Sequence, residues 1–170
     1  YFDSVSFLNE SSGEPPAPPP APAPTGVTVT FDSGDSSGYA LTPFEGAQVA
    51  VKSSAPAGGS GSAVEFVKGR QPWAGVTFLQ LPAGELITPT AQTVTMRVWA
   101  PEAGKTVLLK LETATNPGNG PDFVELTQPT TAVGWQTLTF DFSSVNPKHD
   151  LTLSKASVFF DFMADRKSVV

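Results

Sequence analysis

Hydrophobic and polar residues alternate along most of this chain with the period of two expected of strands that bury one face. Val27, Val29 and Phe31 alternate with Thr28 and Thr30, and Ala47, Val49 and Val51 follow the turn Pro43-Phe44-Glu45-Gly46. After the Gly-rich loop 55–61, Val64 and Phe66 open a further strand, and Val76-Thr77-Phe78-Leu79-Gln80-Leu81 runs up to Pro82-Ala83-Gly84. Val94, Met96 and Val98 alternate with Thr95, Arg97 and Trp99, and Val107, Leu109 and Leu111 with Leu108, Lys110 and Glu112. Phe123-Val124-Glu125-Leu126 is a shorter run, and Leu138, Phe140 and Phe142 alternate with Thr137, Thr139 and Asp141. No stretch carries the helical period. The pattern predicts an all-β chain folded as an antiparallel β-sandwich, a jelly roll of about ten strands.

The two ends of the chain are both strand-like. Tyr1-Phe2-Asp3-Ser4-Val5-Ser6-Phe7-Leu8 has no polar lead-in, and Val158-Phe159-Phe160-Asp161-Phe162-Met163 precedes the polar stretch 164–168 and a final Val169-Val170. Read from end to start, this is two apolar arms around a polar turn, a hairpin signal cut at its second arm. The expectation is that residues 1–9 form a donated or permuted strand, with Tyr1, Phe2, Val5, Phe7 and Leu8 as its assembly residues. Its acceptor edge would be Val158, Phe160 and Phe162 of the same chain, a neighbouring copy or the preceding repeat of a longer chain. Residues 27–170 would then be a sandwich lacking its last strand, with unpaired backbone to satisfy.

Between these lies residues 10–26, a Pro-rich linker. Glu14-Pro15-Pro16-Ala17-Pro18-Pro19-Pro20-Ala21-Pro22-Ala23-Pro24 holds too much Pro for helix or central strand and reads as extended polyproline II. At ~3.1 Å per residue it reaches on the order of 30 Å, a stiffness that favours handing the strand to a neighbour.

Composition narrows the partners. The 170-residue chain has a net charge of −6, which speaks against nucleic acid and anionic membranes because both need a basic face. It contains no Cys, so disulfides and thiolate metal sites are excluded. No apolar run approaches the ~18 residues of a membrane span, so membrane insertion is not expected. The expected location is secreted or extracellular, at a bacterial cell surface or filament, with any export signal already removed or lying upstream.

Val98-Trp99-Ala100-Pro101-Glu102-Ala103-Gly104, Leu109-Lys110-Leu111-Glu112-Thr113-Ala114-Thr115-Asn116 and Gly134-Trp135-Gln136-Thr137-Leu138-Thr139-Phe140-Asp141-Phe142 resemble the carbohydrate-binding-type jelly-roll modules appended to secreted bacterial laminarinases and related polysaccharide-degrading enzymes. Phe66-Val67-Lys68-Gly69 and Trp73-Ala74-Gly75 fit the same resemblance. Such modules close with a strand of the form tyrosine, aromatic, Asp, then Val. Here that form matches Tyr1-Phe2-Asp3-Ser4-Val5, at the opposite end of the chain. The resemblance covers residues 27–170 and 1–8 in permuted order, and it implies β-glucan-like ligands.

Catalytic chemistry finds little support, and the chain is read as not an enzyme. His149 is the single histidine, in a loop with no nucleophile motif near it. Glycoside hydrolysis needs two opposed carboxylates, and the spacing of Glu102, Glu112, Glu125 and Asp141 pairs none of them. A structural Ca²⁺ is a candidate cofactor. Asp32 and Asp35 in Asp32-Ser33-Gly34-Asp35-Ser36-Ser37-Gly38 could supply carboxylates with Asp3, although Asp/Ser/Gly stretches are also ordinary turns. For sugar stacking the candidates are Trp99, sharing a strand face with Arg97, and Trp73 in a loop, while Trp135 is expected to pack at a sandwich end. Asn9-Glu10-Ser11 is formally a glycosylation sequon, and Asn116-Pro117-Gly118-Asn119-Gly120-Pro121 a turn cluster.

The functional expectation is a non-catalytic extracellular structural module whose partner is itself. Units would assemble head to tail, as a filament or tandem-repeat array, by N-terminal strand complementation. The alternative is a carbohydrate-binding module of a secreted enzyme, with polysaccharide as its partner.

Overall fold

A computed structural model describes residues 1–8, 26–113, 122–145 and 151–163. They form β1 (Phe2–Leu8), β2 (Thr28–Val29), β3 (Thr42–Phe44), β4 (Gln48–Lys52), β5 (Ala63–Val67), β6 (Gly75–Gln80), β7 (Thr93–Ala100), β8 (Thr106–Thr113), β9 (Phe123–Pro129), β10 (Gly134–Asp141) and β11 (Leu153–Phe160), with a 3₁₀ turn at Phe142–Ser144. One sheet has the order β10-β7-β1-β5-β4, with β2 also pairing β1, and the other the order β3-β6-β11-β8-β9. Among the described residues the strands of both sheets pair antiparallel. The two inner faces enclose one core, so the all-β antiparallel sandwich expected from the alternation is the observed fold, compatible with a jelly-roll-like arrangement. Among the described residues no helix is long and apolar enough to cross a membrane.

β7 shows how pattern becomes packing. Val94, Met96, Val98 and Ala100 are buried, while Thr93, Thr95, Arg97 and Trp99 face outward and are partly exposed. β10 pairs it in register, so Phe140, Leu138 and Gln136 lie opposite the inward set and Trp135 lies opposite Trp99. Burial of such side chains contributes ~1.5–3 kcal/mol each, which is why the alternation sets the register.

The placement of the terminal strands differs from the hairpin expectation. β1 pairs with β7, from Phe2 opposite Val98 to Leu8 opposite Thr93, with a bulge between Phe2 and Ser4. Its other edge is shared by β5, at Phe2 and Val64, and by β2, at Val5 and Val29. β11 lies in the other sheet with β6 on one side and β8 on the other, so Val158 is paired on both edges and Phe160 is paired with Val107 of β8. Phe162 lies past the strand, because Asp161 and Met163 adopt positive φ (51° and 63°) and end it. The two apolar arms are therefore not ladder neighbours. They face each other across the core, where the Phe2 and Phe160 rings meet.

β11 also starts earlier than its apolar run suggests. Ser154 and Ser157 are buried alongside Leu153, Ala156 and Val158, because a central strand is covered on both faces and loses its clean alternation. The linker 10–26, apart from Gly26, and residues 146–150, with His149, lie outside the described residues, as do the sequon at Asn9 and the cluster 116–121.

Candidate functional site at the end of the inserted strand

β1 is held by a seat of aromatic rings. Phe2 is fully buried and packs edge-on against Phe31 (centroids 5.1 Å) and Phe78 (6.2 Å). Phe31 adopts a positive φ of 62°, unusual for a bulky side chain. The carboxylate of Asp35 holds it there. Its Oδ2 accepts from the backbone N–H groups of Thr30 (2.6 Å) and Phe31 (2.8 Å), and its Oδ1 from that of Ser37 (2.8 Å). Burial alone would push this carboxyl up, but these donors outweigh it and hold the group at about 2. Asp32 accepts from the Ser62 N–H (2.7 Å) and ties the same turn to the loop 55–61.

Asp3, at the bulge, is 5% exposed and forms an ion pair with Arg97, which also donates to the Gly58 carbonyl (2.8 Å). Burial pushes the Asp3 carboxyl up, and the Arg97 charge offsets only part of that. The three carboxylates expected to hold Ca²⁺ thus have other occupations. Asp35 is saturated by backbone donors, Asp3 by a guanidinium, and among the described residues no group of three His, Cys, Asp or Glu side chains converges. This donor set does not fit a Ca²⁺ cage, which needs six or more free oxygens.

Past the bulge, Tyr1 turns to the opposite face from Phe2. Its N–H donates to the Trp99 carbonyl (3.1 Å), and the Trp99 N–H donates to the Tyr1 carbonyl (2.7 Å). The rings of Tyr1 and Trp99 meet edge-on, 5.9 Å apart, and the Tyr1 hydroxyl donates to Glu65 (2.7 Å), which in turn pairs with Lys52 (3.1 Å). Both rings border a cavity of about 180 Å³ at this end of the sandwich, together with Phe66, Phe160, Lys105 and Asp161. Lys105 lies between Glu102 (3.2 Å) and Asp161 (3.6 Å), so the cavity wall carries both signs of charge within ion-pair range of one another. Three expected groups converge here: Tyr1 of the assembly strand, Phe160 of the acceptor residues and Trp99 of the sugar candidates.

Arg97 does not line this cavity. Its guanidinium lies 4.5 Å above the Trp135 ring and, through Asp3 and Gly58, locks the loop 55–61 onto the sheet. Trp135 donates from its indole N–H to the Pro56 carbonyl (3.2 Å), and a Cβ on Gly59 would come within 2.7 Å of its ring. Trp135 is thus a packing residue. Trp73 is 49% exposed, and its loop is anchored at Pro72, whose carbonyl accepts from Lys68 Nζ (2.8 Å) and from the Met163 N–H (3.1 Å).

Two further acids, Glu112 and Asp141, have structural partners. Glu112 is buried between Lys155 (3.0 Å) and Lys110 (3.1 Å). Burial opposes its charge, but the two ammonium groups outweigh that and hold its carboxyl below the usual range. Asp141 caps the 3₁₀ turn by accepting from the Ser143 N–H (3.0 Å). Sequence reasoning missed Lys105 and Asp161, which reach the cavity from turns where no periodicity operates. Tyr1 as a cavity residue was open to it, since period two sends Tyr1 and Phe2 to opposite faces.

Compared with family models, with curated proteins and with solved structures, the chain matches none of them.

Proposed function

We propose that this chain is a non-catalytic structural module that assembles head to tail, each unit's β1 completing the sheet of the next. The observation that carries this reading is the position of β1. It lies between β7 on one side and β5 and β2 on the other, and in the strand order nothing else joins β10-β7 to β5-β4. The receiving groove is thus the β7/β5 seam rather than an edge of β11. Buried Phe2, Val5 and Phe7 contribute on the order of 5–8 kcal/mol together, a large share of the ~5–15 kcal/mol that keeps a domain folded. A strand of this weight, joined to the rest through a Pro-rich stretch, makes the same contacts whether its own chain or a neighbour supplies it.

Light scattering across a concentration series tests this. Mass that grows with concentration, and is lost when residues 1–9 are deleted, is the expected result. A single mass near 17.8 kDa at every concentration overturns it.

A second reading, polysaccharide binding, is favoured by one observation. Trp99 and Tyr1 border a cavity that also carries Lys105 and Asp161, the pairing of apolar face and hydrogen-bonding rim that a sugar ring needs. Quenching of Trp fluorescence by a soluble β-glucan, lost in Trp99→Ala, is the expected signature. Silence across a panel of neutral and acidic polysaccharides removes this reading.

A further inference from the structure

We infer that the cavity is a composite site for one neutral pyranose unit, and that the inserted strand supplies one of its walls. The inference rests on the two readings above and joins them. Tyr1 leads directly into β1, Trp99 lies near the end of β7, Phe160 ends β11 and Asp161 follows it, and Glu102 and Lys105 come from the turn between β7 and β8. Removal of β1 takes away the Tyr1 ring and the carbonyl that receives the Trp99 N–H. The cavity is incomplete without that strand.

Size and charge select the ligand class. Pockets for drug-sized molecules run ~300–1,000 Å³, so a cavity of about 180 Å³ has room for one ring and not for an oligomer folded inside it. Lys105 is already shared by Glu102 and Asp161, and Lys68, the other lining cation, donates to the Pro72 carbonyl (2.8 Å). The charges of the lining Lys68, Lys105, Glu102 and Asp161 therefore balance and favour an uncharged ligand. Lys105, Glu102 and Asp161 offer donors and acceptors to vicinal hydroxyls, while the rings of Trp99, Tyr1 and Phe160 offer apolar surface to the C–H face of a pyranose. An uncharged hexose at the end or on a branch of a glucan has this chemistry.

The test titrates the full chain with a soluble β-1,3-glucan, following Trp fluorescence and heat. The wild type is expected to bind, and Tyr1→Ala and Trp99→Ala are each expected to weaken binding by about tenfold or more, as for ring anchors in small desolvated pockets. Tyr1→Phe keeps the ring and should bind like the wild type, and thermal unfolding of each variant checks that loss of binding is not loss of fold. No binding by the wild type overturns the inference. So does equal binding by wild type and Tyr1→Ala, or a loss confined to Trp73→Ala.

A mixture then identifies whose strand builds the wall. Tyr1→Ala has a sound face and a defective strand, and Trp99→Ala the reverse. If strands pass between copies, co-refolding the two at equal amounts should restore about one quarter of the wild-type sites. A wild type that binds, with no recovery in the mixture, assigns the wall to each chain's own strand. That result overturns assembly by strand donation and leaves the composite cavity standing.

Discussion

Phe2 of β1 and Phe160 of β11 meet inside the sandwich with ring centroids 5.6 Å apart and planes inclined by 31°. They belong to different sheets. The first and last described strands therefore converge as the facing walls of one core and border one cavity, instead of pairing as the arms of a hairpin.

The weight of that contact is measurable. Phe2 is fully buried, and Phe2→Ala should cost about 3–5 kcal/mol, as for other Phe-to-Ala truncations in cores. Denaturant unfolding of the variant at a concentration where the wild type has a single mass gives the value directly. A loss below about 1 kcal/mol, the scale of a surface change, would mean that β1 is not seated as described.

Asp35 organises the turn that presents Phe31 to Phe2, and its charge is the active part. Its folded pKa of about 2 lies below the ordinary Asp value of 3.8, so the carboxylate form is favoured by folding. The stability it contributes is complete above that unfolded value and is lost as pH falls through the folded one. Asp35→Ala should cost on the order of 1–2 kcal/mol at neutral pH. It should also flatten the stability profile between about pH 4 and pH 2. Unfolding curves for both proteins across that interval decide the point, and parallel profiles would refute it.

The Asp3 and Arg97 pair is asymmetric. Asp3 is buried and its carboxyl is raised, so the folded state already favours its neutral form relative to the unfolded chain. Arg97→Ala leaves that carboxylate without its partner and should cost about 3–5 kcal/mol at neutral pH. The sign of its pH dependence follows from the raised pKa. Stability of the variant is retained below the unfolded Asp value and falls as pH rises through the folded one. Adding Asp3→Asn should recover most of the loss. If the double variant is as unstable as Arg97→Ala alone, the cost lies in the contact of Arg97 with Trp135 and Gly58 instead.

The Gly-rich loop 55–61 is sequence-flexible but sterically committed. A Cβ at Gly59 would sit 2.5 Å from that of Ala55 and 2.7 Å from the Trp135 ring. Gly59→Ala should therefore cost about 1–3 kcal/mol, the range for overpacking, and shift Trp135 fluorescence. Gly34→Ala is the control for space, since a Cβ there meets nothing within 4 Å, and only its positive φ of 96° penalises it. Comparable spectra for the two variants would show that the loop does not rest on Trp135.

Alternation alone made the fold class legible. Thr, Arg and Trp between Val94, Met96 and Val98 leave one face that water can reach and one that it cannot, and only a strand separates them that way. Turn chemistry was legible too, since Asp35 and the glycines stand where the backbone needs an acceptor or a positive φ. Which strand neighbours which was not. A hydrophobic arm specifies that it must be buried and leaves open the sheet that receives it, so Tyr1–Leu8 read as a partner of β11 although it lies beside β7. The choice rests on contacts that exist only after folding: Phe2 among Phe31, Phe78 and Phe160, and Asp3 against Arg97. The cavity is of the same kind. Tyr1, Trp99, Lys105 and Asp161 are scattered along the chain, and the closure of two sheets over one core brings them to a single wall.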